Sequence, residues 1–372
     1  MLNRFEFLKT TALGSLAATG LSTLLSTGIA GRGRDSFTIH DSLTVPLQLQ
    51  PGDTVAFTSP AGILYEESDF EKMEEVMRGF GLHVIFGEHV RRRYGYFAGT
   101  DRQRAEDLNR MFADPEVDAI VAVRGGWGSS RILPYLDYEM IRRNPKILVG
   151  FSDITTLHLA LLKRCGLVTY HGPNGASDWS ELTRRNFVEV LMGRSAWELI
   201  EGRGLSQETQ PEGDEPGTEN NPSQAEGLPE FRSAGRVTTI TPGIASGPLI
   251  GGNLTIFTTA LGTWYHPETE GGILFLEDIG EPVYKIDRML THIREAGILE
   301  KITGFVFGDC MECPAPRSDH FTMQQIIRQH IEPLGIPAIM GASISHGPDN
   351  FTLPVGLKAE LDAGEGVMRL VC

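Results

Sequence analysis

Short apolar runs alternating with helical-period segments constrain this chain more than any other feature. Asp53–Thr58, Leu82–Phe86, Ala119–Val123 and Lys146–Val149 each read as a buried strand. Between them, residues 66–80 place Phe70, Met73, Val76, Met77 and Phe80 at helical spacing, residues 100–113 form a helix opened by Thr100 or Asp101, and residues 129–143 are largely helical. Repeated strand–helix alternation predicts an α/β domain with a mainly parallel sheet flanked by helices. Ligands in such folds bind at the carboxyl ends of the strands. Two conspicuous segments fall there: Arg124-Gly125-Gly126-Trp127-Gly128 and Gly150-Phe151-Ser152-Asp153.

A second ordered stretch follows a biased one. Residues 202–236 are rich in Glu, Pro, Gly and Asn and carry almost no large apolar side chain before Leu228. Such a segment cannot bury enough surface to offset its ordering entropy, so it reads as an acidic mobile linker or insert. Beyond it come a short helix after Gly251-Gly252-Asn253-Leu254, strands over Ile273–Asp278 and Ile302–Gly308, helices over Tyr284–Ala296 and residues 321–332, and a terminal hairpin over Glu360–Asp362 and Val367–Val371. The expected organisation is an N-terminal α/β domain over 45–195 and a smaller, β-rich α/β C-terminal domain over 245–372.

The formal charge of −15 argues against a nucleic-acid surface and against docking on anionic lipid. Residues 1–30 have basic Arg4 and Lys9 followed by a weakly apolar stretch, which reads as an export signal with a periplasmic destination. Asn3–Lys9 resembles a twin-arginine signal in which Phe5 replaces the second arginine; the alternative is an amphipathic helix on a cytoplasmic protein. No later apolar run reaches the ~20 residues that span a bilayer, so stable membrane insertion is not expected. Cys310 and Cys313 have metal-knuckle or redox spacing, but no second Cys/His pair accompanies them. Neither a metal nor a cofactor is expected, and the default reading of the cysteines is free thiols, a short-range disulfide being the alternative in an exported protein.

Ser152 follows an apolar strand and precedes the helical run Ile154–Lys163. A serine at such a turn can expose its hydroxyl near free backbone N–H groups, as a nucleophile requires; Ser152-Asp153 could equally be a plain helix cap. Acyl transfer needs a base, a group that orients it and an oxyanion hole. Glu277 ends the apolar strand Ile273–Leu276, His346 lies in a turn-rich loop, and Gly125 and Gly126 permit close backbone approach. The order Ser, Glu, His is that of α/β hydrolases, but Ile154 occupies the place of the second glycine of their Gly-x-Ser-x-Gly elbow. Asp278 or Glu281 are alternatives for the orienting acid and His171 for the base. Arg124 either binds a substrate carboxylate or pairs with an acid at the sheet edge, and Trp127 either walls the substrate or packs.

These motifs, taken with Gly95-Tyr96-Phe97-Ala98-Gly99-Thr100-Asp101-Arg102-Gln103-Arg104, His171-Gly172-Pro173, Gly251–Leu254, Phe275–Asp278, Tyr284–Arg288 and His346-Gly347, resemble the LD-carboxypeptidase family of serine peptidases. That family also includes microcin C self-immunity hydrolases. The resemblance spans roughly residues 50–190 and 245–358. It implies a nucleophile at Ser152, a general base at His346, an orienting carboxylate at Glu277, and an oxyanion hole from the backbone N–H groups of Gly125 and Asp153. It further implies two domains, a homodimer, and release of the terminal D-amino acid from murein tetrapeptides. The competing functions are hydrolysis of another amide or acyl-adenylate, and non-catalytic muropeptide binding. The family's peptidoglycan-recycling members are typically cytoplasmic, so the signal-like N-terminus is a departure.

Overall fold

The computed structural model describes residues 43–193, 229–233, 237–314, 317 and 319–371. The expected export signal and most of the expected linker lie outside the described residues. The N-terminal part alternates as its sequence predicts. In order come β1 (Thr54–Thr58), α1 (Glu67–Gly79), β2 (His83–Phe86), α2 (Asp101–Ala113) and β3 (Ala119–Ala122). After them come α3 (Ser129–Ile132), α4 (Tyr138–Arg143), β4 (Ile147–Gly150), α5 (Thr155–Cys165), β5 (Thr169–His171) and α6 (Glu181–Leu191). Thr100 and Gln103 form a reciprocal capping box that opens α2. The helix expected over 129–143 is broken: Pro134 sits in a 3-10 turn (Leu133–Tyr135), and the Asp137 side chain caps a new start at Met140 N.

The C-terminal part contributes β6 (Glu230–Arg232), β7 (Thr238–Thr241), β8 (Ile244–Asn253), α7 (Leu254–Ala260), β9 (Ile273–Ile279), α8 (Val283–Glu295) and β10 (Gly304–Met311). It ends with α9 (Met323–Ile331), β11 (Ala338–Ala342), β12 (Leu353–Val355), β13 (Lys358–Asp362) and β14 (Val367–Leu370). The terminal hairpin is present as β13 and β14. Strand β6 falls inside the stretch expected to be a linker; it pairs with β14 through Phe231, whose ring is buried. The expected free thiols at Cys310 and Cys313 are instead a disulfide, and Cys165 is a buried free cysteine.

Two sheets result. The first runs β12-β5-β4-β3-β1-β2, with β1 to β5 parallel throughout. The second runs β6-β14-β13-β8-β9-β10-β11-β7; its centre, β8 to β11, is parallel and its flanks are antiparallel. The fold is thus the expected two-domain α/β arrangement with a β-rich second part. One strand changes sides: β12, placed by sequence with the C-terminal domain, pairs antiparallel with β5 and completes the first sheet. Side chains alternate between the faces of each strand, so Ala56, Ile120 and Leu148 fill one core while Val55, Val121 and Val149 fill another. Each core also takes residues from the second sheet, such as Leu274 in one and Phe275 in the other. Helix α5, buried on almost every side, lies where the two halves meet and touches β5, β8 and α7.

Candidate active site

The first sheet delivers Ser152. Strand β4 is wholly buried and ends at Gly150, where an added Cβ would stand 2.9 Å from Asn174 Oδ1 and 3.0 Å from Ala122 Cβ. Phe151 is extended and its N–H donates to Asn174 Oδ1 at 3.2 Å. Ser152 then turns sharply, with φ +63°, into a 3-10 turn (Ser152–Ile154) that leads directly into α5. Only Glu312 shares a positive φ among the described non-glycine residues. The bend is buttressed from below by His158, whose Nε2 donates to Gly150 O at 2.8 Å while Nδ1 accepts from the Thr169 hydroxyl at 2.9 Å. Full burial holds this imidazole neutral, its pKa pushed down to about 4.

Gly125, after β3, presses against the serine. A Cβ there would lie 2.8 Å from Ser152 Cβ and 3.0 Å from its Oγ, so the position requires glycine. Its carbonyl accepts from Gly62 N–H at 3.1 Å, and its own N–H has no acceptor among the described residues. Asp153 contributes a second candidate N–H at the start of the helical segment. Its carboxylate points elsewhere, accepting from Ser129 N–H at 2.7 Å, and burial raises its pKa against the pull of that bond.

The second sheet delivers Glu277 and positions His346. Glu277 is fully buried on β9 and sits opposite Asn253 in the parallel β8–β9 register. His346, in the loop after β11, places Nδ1 2.8 Å from Glu277 Oε2, and its ring packs on Phe151 with centroids 4.6 Å apart. Burial raises the Glu277 pKa; the bonds from His346 and Asn253 oppose that shift. With Nδ1–H directed at Glu277, Nε2 is left as the basic nitrogen. The strand register slips beside this residue, between Phe307 and Cys310 of β10, and a Cβ on Gly308 would meet Glu277 Cβ at 3.0 Å. Bulges of this kind commonly re-aim side chains next to active sites.

Ser152, His346, Gly125 and Arg124 line one cleft of about 450 Å³, together with Asn174, Asp69, Asp178 and Ser345. No hydrogen bond reaches Ser152 Oγ among the described residues; such contacts are often loose before substrate binds. Arg124 Nη1 donates to Ile63 O at 3.2 Å, so neither a sheet-edge acid nor any other carboxylate claims it among the described residues. Trp127 is 49% exposed and is not among the residues lining the cleft. No described group of three or more His, Cys, Asp or Glu side chains is placed to hold a metal.

The alternatives from the sequence separate cleanly. Asp278 is consumed at the start of α7, accepting from Thr255 N–H at 3.0 Å, the Thr255 hydroxyl at 2.8 Å and Asn253 Nδ2 at 3.1 Å. Glu281 pairs with Lys285 at 2.8 Å on the first turn of α8. His171 is buried, donates Nε2–H to Ile344 O at 2.9 Å, and lies between the rings of Phe151 and Phe275. Sequence reasoning assigned no role to Asn253. Its side chain accepts from Ile256 N–H at 3.1 Å as the α7 cap and donates to Glu277 Oε1 at 3.2 Å. Its backbone N–H donates to Thr155 Oγ1 on α5, next to the Ser152 turn, at 2.9 Å. The signal was available: an Asn before a helical run is a strong N-cap, and the preceding glycines mark close approach.

Residues 55–172 match the LD-carboxypeptidase N-terminal domain and residues 246–361 the LD-carboxypeptidase C-terminal domain. The chain belongs to the LD-carboxypeptidase family. It is accordingly a serine-type carboxypeptidase. It is 34% identical over 329 residues to the Bacillus subtilis protein named Probable murein peptide carboxypeptidase, covering 86% of this chain and 92% of that one. It is 27% identical over 335 residues to the Escherichia coli microcin C7 self-immunity protein, covering 87% and 94%. Among solved structures it resembles the muramoyltetrapeptide carboxypeptidase of Oxalobacter formigenes, with TM-score 0.67, 29% identity and coverage of 85% and 97%.

Proposed function

We propose that this member of the LD-carboxypeptidase family releases the terminal D-amino acid from murein tetrapeptides in peptidoglycan turnover. The observation that carries the reading is the pair of buried Glu277 and half-buried His346 opening onto the same cleft as Ser152 on its strained turn. In the first step Ser152 Oγ attacks the scissile carbonyl and its proton passes to His346 Nε2. The oxyanion is held by the N–H groups of Gly125 and Asp153. His346 then gives that proton to the leaving amine, and the C–N bond breaks to leave an acyl-enzyme and the free D-amino acid. Water, deprotonated by the same imidazole, hydrolyses the ester and restores Ser152. Glu277 holds the imidazole tautomer and balances its transient positive charge. Arg124, lining the cleft with no carboxylate partner among the described residues, supplies a bidentate site for the terminal carboxylate that defines a carboxypeptidase substrate.

Mass spectrometry after incubation with murein tetrapeptide, tripeptide and an acyl-adenylate tests this reading. Loss of one D-amino acid from the tetrapeptide alone is the expected result. Cleavage of the acyl-adenylate with an untouched tetrapeptide would move the enzyme to the immunity-type activity. Ser152→Ala is expected to lower turnover by about 10⁶; a variant keeping more than roughly a tenth of wild-type rate would remove Ser152 as nucleophile. On this reading the signal-like residues 1–30 send the enzyme to the periplasm, which fractionation of cells producing the full chain would check.

A further inference from the structure

The motif Gly95–Arg104 has no member lining the cleft, yet its last residue is the largest fully buried side chain of the described residues. Arg104 Nη1 donates to Pro60 O and, at 3.0 Å, to Gly128 O. Its Nη2 pairs with Asp101 Oδ1 at 2.6 Å, and the guanidinium lies 4.5 Å over the Phe97 ring. Pro60 belongs to the loop after β1 and Gly128 to the loop after β3. Those two loops meet again where Gly62 N–H donates to Gly125 O at 3.1 Å and where Arg124 Nη1 donates to Ile63 O at 3.2 Å. One planar cation thus joins the backs of both loops while Gly125 faces the serine.

The surroundings fix that cation in turn. Asp101 is shared: Arg131 donates Nε and Nη2 to its Oδ2 at 3.1 and 2.9 Å and lies 4.8 Å over the same Phe97 ring. Gly128 leaves no slack, since a Cβ there would fall 2.3 Å from Phe97 Cε1 and 3.1 Å from Arg104 Nη1. Burying a charge is costly, and an apolar side chain of similar volume would commonly serve packing as well or better. Packing alone therefore does not explain an arginine here; reaching two loop carbonyls from Nη1 while Nη2 holds Asp101 does, because only the planar guanidinium sets both nitrogens at fixed positions.

We infer that Arg104 is a positioning residue for the oxyanion hole, setting the loop 124–128 so that the Gly125 N–H meets the developing oxyanion at Ser152. This rests on the serine-hydrolase reading above. Misdirecting one oxyanion donor weakens the transition state and leaves ground-state binding largely alone. Arg104→Lys keeps the charge but gathers its donors on one atom, so it cannot hold both carbonyls and Asp101 in the same fixed geometry. Its kcat, counted per site titrated with a fluorophosphonate, is expected to fall on the order of 10²-fold with KM within about threefold of wild type. A merely structural role would lower the melting temperature and the number of titratable sites while leaving kcat per site unchanged.

The experiment is steady-state kinetics on murein tetrapeptide for wild type, Arg104→Lys, Asp101→Asn and Ser152→Ala, with thermal melts of each. Where tetrapeptide is not turned over, the rate of fluorophosphonate labelling reads the same oxyanion step. A folded Arg104→Lys with kcat per site within roughly threefold of wild type overturns the inference. Should Arg104→Lys not fold, Asp101→Asn decides: a drop of about tenfold per site supports the role and an unchanged kcat removes it. A Ser152→Ala variant that still turns over sinks the serine mechanism itself, whereas an inactive Ser152→Ala beside an unimpaired Arg104→Lys sinks only the positioning role.

Discussion

Ser152 holds a backbone angle that an L-residue adopts at a cost of roughly 1–2 kcal/mol. The bonds around it, from Phe151 N–H to Asn174 Oδ1 and from His158 to Gly150 O, keep the turn from relaxing. What is gained is an Oγ lifted off the sheet toward Gly125. Across the cleft, Glu277 and Glu281 are four residues apart but chemically unlike, one buried against His346 and the other paired with a surface lysine. Glu277→Gln keeps the shape and loses the charge that, on the proposed mechanism, stabilises the imidazolium. Its rate is expected to fall on the order of 10²–10⁴-fold, and that of Glu281→Gln by far less. Steady-state kinetics of both variants on one tetrapeptide checks this; a more damaged Glu281→Gln would transfer the orienting role. Ser152 and Glu277 were legible because each ends or follows an uninterrupted apolar strand, where polar groups are seldom idle. Arg104 was not: in sequence it is one more basic residue on an amphipathic helix, and only the meeting of two distant loops over it discloses its partners.

At the scale of elements, β8 and α7 join the two halves of the site. The run Gly251-Gly252-Asn253 brings the backbone against both neighbours: a Cβ on Gly251 would sit 1.7 Å from Phe275 O, and one on Gly252 would sit 2.4 Å from Thr155 Oγ1. Asn253 then caps α7, steadies Glu277 and bonds to α5. Asn253→Ala should lose about 1 kcal/mol as a missing cap, a melting shift of only a few degrees. The lost bond to a buried carboxylate should slow turnover by roughly tenfold or more. Paired melts and kinetics test the separation; a variant that melts many degrees lower with undiminished kcat would make Asn253 purely structural. Elements whose period repeats locally were readable from sequence, while β6 and the Cys310–Cys313 bridge were not. A three-residue strand in a polar stretch has too few side chains to show a period, and a C-x-x-C spacing suits a thiol pair, a metal or a disulfide alike.

Over the whole molecule, the two neutral histidines at the join of the halves link folding to pH. Burial lowers His158 to about 4 and His171 to about 3. Unfolded, each would titrate near 6.5. Below that value the unfolded chain takes up protons that the native state refuses, so these groups contribute stability above about pH 6.5 and lose it as pH falls toward 4. Glu277, Asp278 and Asp153, raised by burial, act with opposite sign and lose their contribution as pH rises through their native values. A difference measurement isolates the histidine. His158→Gln should melt below wild type at pH 7.5, and the gap should narrow steadily toward pH 4.5, because glutamine carries no proton cost. A gap independent of pH would show that His158 is not held neutral by the fold.

Strand β12 has a consequence for the order in which the enzyme is made. The sheet that carries Ser152 borrows its last strand from residues 353–355, and His171 on β5 leans on the carbonyl of Ile344. A ribosome will therefore have released the Ser152 turn long before the strand that closes its sheet, and Glu277 and His346 also arrive late. The half-made chain holds a serine without a partner and a sheet with an open edge. On the proposed assignment, hydrolytic competence waits for residues through 355, so a chain still short of them cannot act on the peptides around it.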